Sequence, residues 1–110
     1  MGNDEKRLSS FYTESGEPKR IRCYMYKGRK RSADYITVVY TYGSRAVGLP
    51  KYTVLYRGMS GQPYHPLGFC QWGEASQCNF RPGGSRVHFS ELPQDCQDVV
   101  RNDYKYIWDL

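Results

Sequence analysis

The run of β-branched and aromatic residues from Tyr35 to Tyr42 constrains the fold of this chain more than any other stretch. It reads Tyr-Ile-Thr-Val-Val-Tyr-Thr-Tyr, and residues of these types favour extended, pleated backbone. Large side chains stand at both odd and even positions, so they point to both faces of a strand. Such a strand is most easily accommodated in the middle of a sheet. We therefore expect a sheet with 35–42 at its centre.

Two further strands are predicted on either side of this one. Between positions 20 and 26, Ile, Cys and Met alternate with Arg and Tyr, which is the period of two typical of a strand with one buried face. The basic loop 27–31 separates this stretch from 35–42 and predicts an antiparallel hairpin. A third strand is predicted over 51–57. Short connections between sequential strands favour a meander in which the second strand is central.

The segment 58–86 is rich in Gly and Pro and contains several aromatic residues. An irregular insertion of this length is uncommon in a compact domain and is usually functional or contains short strands. We predict short strands at 69–72 and 86–89. The aromatic residues indicate that the segment packs against the rest of the domain.

The C-terminal stretch has the pattern of an amphipathic helix. Ser90 is predicted to cap its N-terminus, and Glu91 and Asp95 would lie near the positive end of the helix dipole. Apolar residues then recur at spacings of three and four. This stripe comprises Leu92, Cys96, Val99, Val100, Tyr104, Ile107 and Trp108. The helix is expected to lie across one face of the sheet and close the core.

These elements predict an α+β fold: a small antiparallel sheet, made of a three-strand meander plus one or two short strands, with one C-terminal amphipathic helix packed on a face. A chain of 110 residues is long enough for one such domain, which we place at 19–110. Residues 1–18 show no periodicity and are expected to form a flexible N-terminal tail, which Leu8, Phe11 and Tyr12 could anchor.

The N-terminus lacks the apolar core of a signal peptide, and no stretch approaches membrane-spanning length. We therefore expect a cytoplasmic protein without a membrane partner. The oligomeric state is left open: an exposed third strand could pair with its copy across a two-fold axis and form a homodimer, but no residue pattern favours this over a monomer.

The net charge of +5 is unevenly distributed along the chain. Residues 19–86 contain 12 Lys and Arg against two Asp and Glu, whereas 1–18 and 90–110 are net acidic. Segregation of this kind produces a field with a direction and indicates an anionic partner for the central region. The densest part is 19–31, where seven cations occur with no acid among them.

This basic hairpin is the leading candidate for a nucleic-acid-binding site. Cations at its tip could contact phosphates, and neighbouring tyrosines could stack on bases. The candidate residues are Arg20, Arg22, Tyr24, Tyr26, Lys27, Arg29, Lys30 and Arg31. The alternative interpretation is that the cations protect an edge strand from aggregation and that the tyrosines form cross-strand packing pairs.

The Gly/Pro-rich segment offers a second candidate, a protein-interaction surface. Protein interfaces favour exposed aromatic anchors, and Tyr64, His65, Phe69 and Trp72 lie close together in this segment. The leading hypothesis is thus a non-enzymatic binding protein that engages nucleic acid or a nucleic-acid-handling complex, and the alternative is a protein–protein interaction module. A small, basic, tyrosine-rich chain with a charged tail resembles the accessory proteins of phages and mobile elements.

Catalysis and metal binding are less well supported by the sequence. A Cys70 nucleophile would need His65 or His88 as its base, and nothing in the spacing brings them together. The same residues with Cys78 could make a four-ligand zinc set, but they lack the close Cys-x₂-Cys pair typical of structural zinc sites. No cofactor is predicted. Cys23 and Cys96 are instead expected to be buried thiols.

Overall fold

The computed structural model describes residues 2–76 and 80–110 and is built on a five-stranded antiparallel sheet. Its strands are β1 (Ile21–Met25), β2 (Ile36–Tyr40), β3 (Val54–Met59), β4 (Cys70–Ala75) and β5 (Ser85–Val87). The α-helices are α1 (Gly2–Phe11), the short α2 (Gly43–Ala46) between β2 and β3, and α3 (Gln94–Trp108). They lie in the order β4-β3-β2-β1-β5, and every neighbouring pair is antiparallel. The predicted α+β fold and the central position of the second strand are confirmed.

Strand β2 is buried along its whole length because both faces of the sheet are covered. Ile36, Val38 and Tyr40 belong to the core beneath the C-terminal helix. Val39 points to the opposite face, where it is also fully buried. The large residues at both odd and even positions of this strand are therefore explained by cover on two sides.

The C-terminal helix α3 (Gln94–Trp108) packs on one face of the sheet and closes the core, as predicted. Its start differs from the prediction, because Ser90 is not its cap. The chain first makes a short 3₁₀ turn at Phe89–Glu91, capped by the side chain of His88. Pro93 disfavours helical backbone at the residue before it, and Leu92 is accordingly extended. A helix that began at Ser90 could not pass through this position.

The third strand and its surroundings also differ from the prediction. It spans Val54–Met59 rather than 51–57, since Lys51 and Tyr52 lie in a turn. The two predicted short strands exist as β4 and β5, and β4 pairs with β3 over its whole length. The edge at which a homodimer could have formed is therefore already occupied by β4.

Residues 1–18, expected to form a tail, contain helix α1 (Gly2–Phe11). Two of the three proposed anchors contact α3. The ring of Phe11 lies 5.3 Å from that of Trp108, and the ring of Tyr12 lies 5.5 Å from that of Tyr104. The Tyr104 hydroxyl is within 2.9 Å of the Phe11 carbonyl oxygen. Leu8, the third proposed anchor, is exposed.

A buried carboxylate fastens α3 to the sheet. Arg57 of β3 donates to both oxygens of Asp103, from Nε at 2.9 Å and from Nη2 at 2.7 Å. The Tyr40 hydroxyl of β2 donates to the same carboxylate at 2.8 Å. The Trp72 ring of β4 covers the guanidinium, whose carbon lies 3.8 Å from the ring centroid. Three strands and the helix therefore meet at one ion pair, in which both carboxylate oxygens accept hydrogen bonds.

Asp103→Ala should lower the free energy of unfolding by about 3–5 kcal/mol, because it leaves the charge of Arg57 and the hydroxyl of Tyr40 buried without a partner. Urea denaturation followed by circular dichroism measures this change. Asp95→Ala is the matched control, since Asp95 is exposed on the same helix and should cost less than about 1 kcal/mol. Equal losses for the two variants would contradict this account of the ion pair.

The core thiols and tyrosines make stability sensitive to alkaline pH. Burial raises the pKa of Cys23 and of Cys96 from 9.0 to about 12, and that of Tyr104 from 10.0 to about 12. The folded state therefore keeps protons that the unfolded chain releases. The free energy of unfolding should keep its full contribution from these groups below about pH 9 and should decrease as the pH rises towards 12. Urea denaturation at several pH values in this range measures the decrease. The free energy of unfolding should decrease less steeply with pH in the Cys23→Ala variant. A flat profile up to pH 12 would contradict it.

Candidate nucleic-acid interface

Strand β1 divides the predicted basic cluster between the two ends of the sheet. Lys19 and Arg20 precede the strand, whereas the cations of 27–31 follow it. Five residues of strand separate the two groups by a distance on the order of 15 Å. We call the end formed by loops 26–35 and 60–69 the hairpin end, and the end formed by segment 41–53 with Arg20 the link end.

The cations at the hairpin end are exposed and unpaired. They are Lys27, Arg29, Lys30 and Arg31. Within 7–76 and 80–110, the Arg57–Asp103 ion pair and the contact between His88 and Glu17 do not involve these four side chains. The nearby carboxylate of Asp34 accepts a hydrogen bond from the Ser32 hydroxyl. The loop therefore presents positive charge directly to solvent.

Tyr24 of β1 and Tyr26 just after it both lie beside cations, and the guanidinium carbon of Arg29 lies 4.9 Å from the centroid of the Tyr26 ring. Tyr24 is only 7% exposed, and the guanidinium carbons of Arg22 and Arg86 lie 5.9 and 5.7 Å from its ring centroid. Tyr26 is partly buried, and its hydroxyl abuts Gly83. Tyr24 therefore has no open ring face for a base. It packs within the sheet, as the alternative interpretation of these tyrosines describes.

Segment 80–84 covers the face of the sheet opposite α3. The ring of Phe80 stacks on that of Tyr56, with centroids 5.0 Å apart and an interplanar angle of 23°. Arg22 donates from Nη2 to the Phe80 carbonyl oxygen at 3.1 Å, and from Nη1 to the Tyr24 hydroxyl at 2.8 Å. Arg22 is thus a structural link on this face, in addition to being a cation.

The hairpin end also contains the second site that the sequence predicts. A groove of about 550 Å³ separates Lys30 and Arg31 from loop 60–69, and Pro93 at the start of α3 forms part of its wall. The Gly61 amide donates to the Lys30 carbonyl oxygen at 2.8 Å and fastens the two loops together. The basic site and the proposed protein-interaction site are therefore neighbours.

Loop 60–69 and the adjoining strand expose a set of large apolar side chains. Leu67 is 82% exposed and projects beside the groove. The other members are Tyr64, Phe69 and Trp72. Trp72 has one face against the guanidinium of Arg57, so it is a structural residue as well as a surface residue. The remaining three side chains form the exposed part of the patch.

Each of the two histidines accepts a hydrogen bond from a nearby backbone amide. His65 accepts the Leu67 amide proton at Nδ1, at 3.0 Å, which explains its place in the turn before Gly68. His88 uses Nδ1 to cap the 3₁₀ turn, and its Nε2 lies 3.3 Å from the Glu17 carboxylate. No described hydrogen bond joins either ring to Cys70. Burial raises the pKa of the Cys70 thiol, which disfavours the nucleophilic thiolate.

The described ranges contain no group of three or more His, Cys, Asp or Glu side chains arranged to hold a metal ion. Cys78, the fourth residue of the zinc set considered from sequence, lies outside the described residues. Within 2–76 and 80–110, no helix is both long enough and apolar enough to span a bilayer.

Comparison of the chain with protein-family models, with curated proteins and with solved structures found no match. Function must therefore be inferred from this chain's own residues.

A second group of cations and aromatic side chains, not predicted from the sequence as a site, lies at the link end. Arg45 and Lys51 lie there beside Tyr42 and Tyr52. The sequence predicts a connection and the start of a strand for these residues. The available signal was a pair of cations, Arg45 and Lys51, flanked by Tyr42 and Tyr52.

Proposed function

We propose that this protein binds nucleic acid through the hairpin end, with the four cations of loop 27–31 contacting phosphates. The observation that supports this most directly is that all four side chains are exposed and that none belongs to an ion pair in the described part of the chain. Cations presented in this way release counterions from a phosphate backbone and provide affinity without distinguishing sequences.

Protection of a sheet edge explains these cations less well. Strand β1 lies between β2 and β5, so it is not an edge strand. The four cations also belong to the loop that follows β1 rather than to a strand. A loop needs no charge to prevent strand pairing. Binding of an anionic partner is therefore the better explanation of their number and exposure.

Acidic and basic side chains are divided between the two faces of the sheet, while Asp34 lies in the same loop as the four cations. Burial and the nearby Asp98 and Asp95 of α3 raise the pKa of Tyr64 in loop 60–69. On α3, Asp95 is exposed and Asp98 is partly exposed. On the opposite face, no strand residue carries an acidic side chain, whereas Arg22 and Arg86 do carry charge there. The charge therefore differs between the two sides of the sheet. Such a field would orient an approaching polyanion towards the basic side.

Arg29→Glu combined with Arg31→Glu should abolish binding to short DNA or RNA while the fold is retained, because both side chains are exposed. Fluorescence anisotropy at several salt concentrations measures the affinity. With four phosphate contacts, log affinity of the wild type should fall against log salt with a slope of roughly −3 to −4.

Lys105→Glu is the matched control for Arg31→Glu. Both change one exposed cation to an anion, but Lys105 lies on α3. The Arg31 variant should bind much more weakly than the Lys105 variant. Equal effects would show only a response to net charge and would remove the loop from this account.

A second candidate function is protein binding through the apolar patch beside the groove. Exposed apolar patches mark interaction sites, and a few anchors, most often aromatic, contribute most of the energy at interfaces. The observation that favours it is the exposure of Leu67 together with Tyr64 and Phe69.

Leu67→Asp should remove a protein partner captured by the wild-type protein at high salt, because a charge cannot be buried in an apolar contact without a large cost. Leu8→Asp is the control, since Leu8 is an exposed leucine on α1. Mass spectrometry of proteins retained by each variant makes the comparison. If Leu67→Asp retains the same partners as the control, the patch is not their binding surface.

A further inference from the structure

A small pocket of about 150 Å³ lies at the link end, between the end of β2 and the start of β3. Its lining includes the hydroxyl-bearing residues Thr41, Ser44 and Thr53. Tyr42 and Tyr52 also line it, and their side chains are 56% and 63% exposed. The pocket thus combines hydroxyl groups with two accessible aromatic rings.

The backbone at both tyrosines is unusual. Tyr42 has φ 66° and Tyr52 has φ 70°, which lie in the left-handed region that bulky residues rarely adopt. Arg20, whose carbonyl oxygen accepts the Thr41 amide proton, has φ 59°. Positions of this kind usually carry Gly or Asn. Strained non-glycine residues concentrate at functional sites, where the side chain is needed despite its conformational cost.

Core packing does not explain why tyrosine occupies these two positions, because more than half of each side chain is in solvent. Glycine would satisfy the backbone with less strain. What tyrosine adds over glycine at these two positions is an exposed aromatic ring. An aromatic ring held outward beside a polar pocket is a suitable surface for another flat ring.

Positive charge surrounds these rings. Arg22 and Arg45 line the pocket, and the Lys51 ammonium lies 5.1 Å from the centroid of the Tyr52 ring. Arg20 is exposed at the same end. None of these four cations belongs to an ion pair among residues 7–76 and 80–110. A ligand that fits this end therefore carries both flat rings and negative charge.

We propose that the link end is a second nucleic-acid site, in which Tyr42 and Tyr52 stack on unpaired nucleobases while Arg45 and Lys51 contact the flanking phosphates. This inference rests on the proposed function and specifies its substrate class as single-stranded nucleic acid. Bases in a duplex are stacked on one another and cannot reach exposed tyrosines, whereas unpaired bases offer a free face. The hydroxyls of the pocket are donors for sugar or phosphate oxygens.

Two leucine substitutions test the stacking role. Tyr42→Leu with Tyr52→Leu keeps bulk at both positions but removes the aromatic rings. Tyr106→Leu is the matched control, because Tyr106 is 79% exposed on α3. Anisotropy with labelled oligo-dT of about 12 nucleotides, and with a duplex, gives the affinities. The double variant should bind oligo-dT at least roughly 30-fold more weakly than the control variant, because two stacking contacts are lost. Its salt slope and its duplex affinity should be unchanged, because the cations remain.

Tyr52→Gly separates binding from folding. Glycine adopts φ 70° readily, so this variant should unfold at the same or higher urea concentration than the wild type. It should nevertheless bind oligo-dT more weakly. A variant that is at least as stable and still binds less well supports a ligand-contacting role for the ring. Undiminished oligo-dT affinity in this variant and in the double leucine variant would overturn the inference.

The same titrations distinguish failure of this inference from failure of the proposed function. If the wild type binds oligo-dT and duplex equally, with the same dependence on loop 27–31, the hairpin end binds phosphates but the link end does not select single strands. If the wild type binds neither nucleic acid at low salt, the proposed function and this inference both fail. Single-strand preference that disappears in the double leucine variant supports both.

Discussion

The ion pair between Arg57 and Asp103 is the interaction on which the arrangement of this protein depends. Burying two charges is costly unless their hydrogen bonds are satisfied, and here both carboxylate oxygens are used while Tyr40 adds a third donor. Because the partners lie on β3 and α3, the pair fixes how the helix lies across the sheet. Trp72 covers the guanidinium and extends the same contact to β4. One polar contact thus specifies an otherwise apolar interface.

Cover on the second face of the sheet determines where a ligand can bind. Segment 80–84 lies over this face, and the ring of Tyr56 lies against Gly73, where any side chain would overlap it. The middle of the sheet is consequently buried from both sides, as Val39 shows. The exposed cations of loop 27–31 and the exposed rings of Tyr42 and Tyr52 lie instead beyond the strands, at the two ends of the sheet. The proposed binding surfaces therefore follow from the architecture as much as from composition.

The two ends offer different chemistry to a nucleic acid. The hairpin end presents cations from one short loop, which suits phosphates of any sequence. At the link end, cations from several segments surround two exposed tyrosines, which suits unpaired bases. Under the two proposals, charge would bring the polyanion to the surface and aromatic stacking would select its single-stranded form. The apolar patch around Leu67, next to the hairpin end, is placed where a protein partner could contact the same complex.

The sequence by itself determined the features that depend on local order. The period of two in β1, the two-sided strand β2, the apolar stripe of α3 and the exposure of loop 27–31 could all be predicted, because each follows from the spacing of neighbouring residues. Tertiary structure alone decided that Arg57 is buried against Asp103, that β4 covers the edge of β3, and that Tyr24 lies beneath cations. These outcomes depend on strand order and on contacts between residues distant in the chain. The meeting of Tyr42 and Tyr52 at one pocket belongs to the same class, since only the folded chain brings the two turns together.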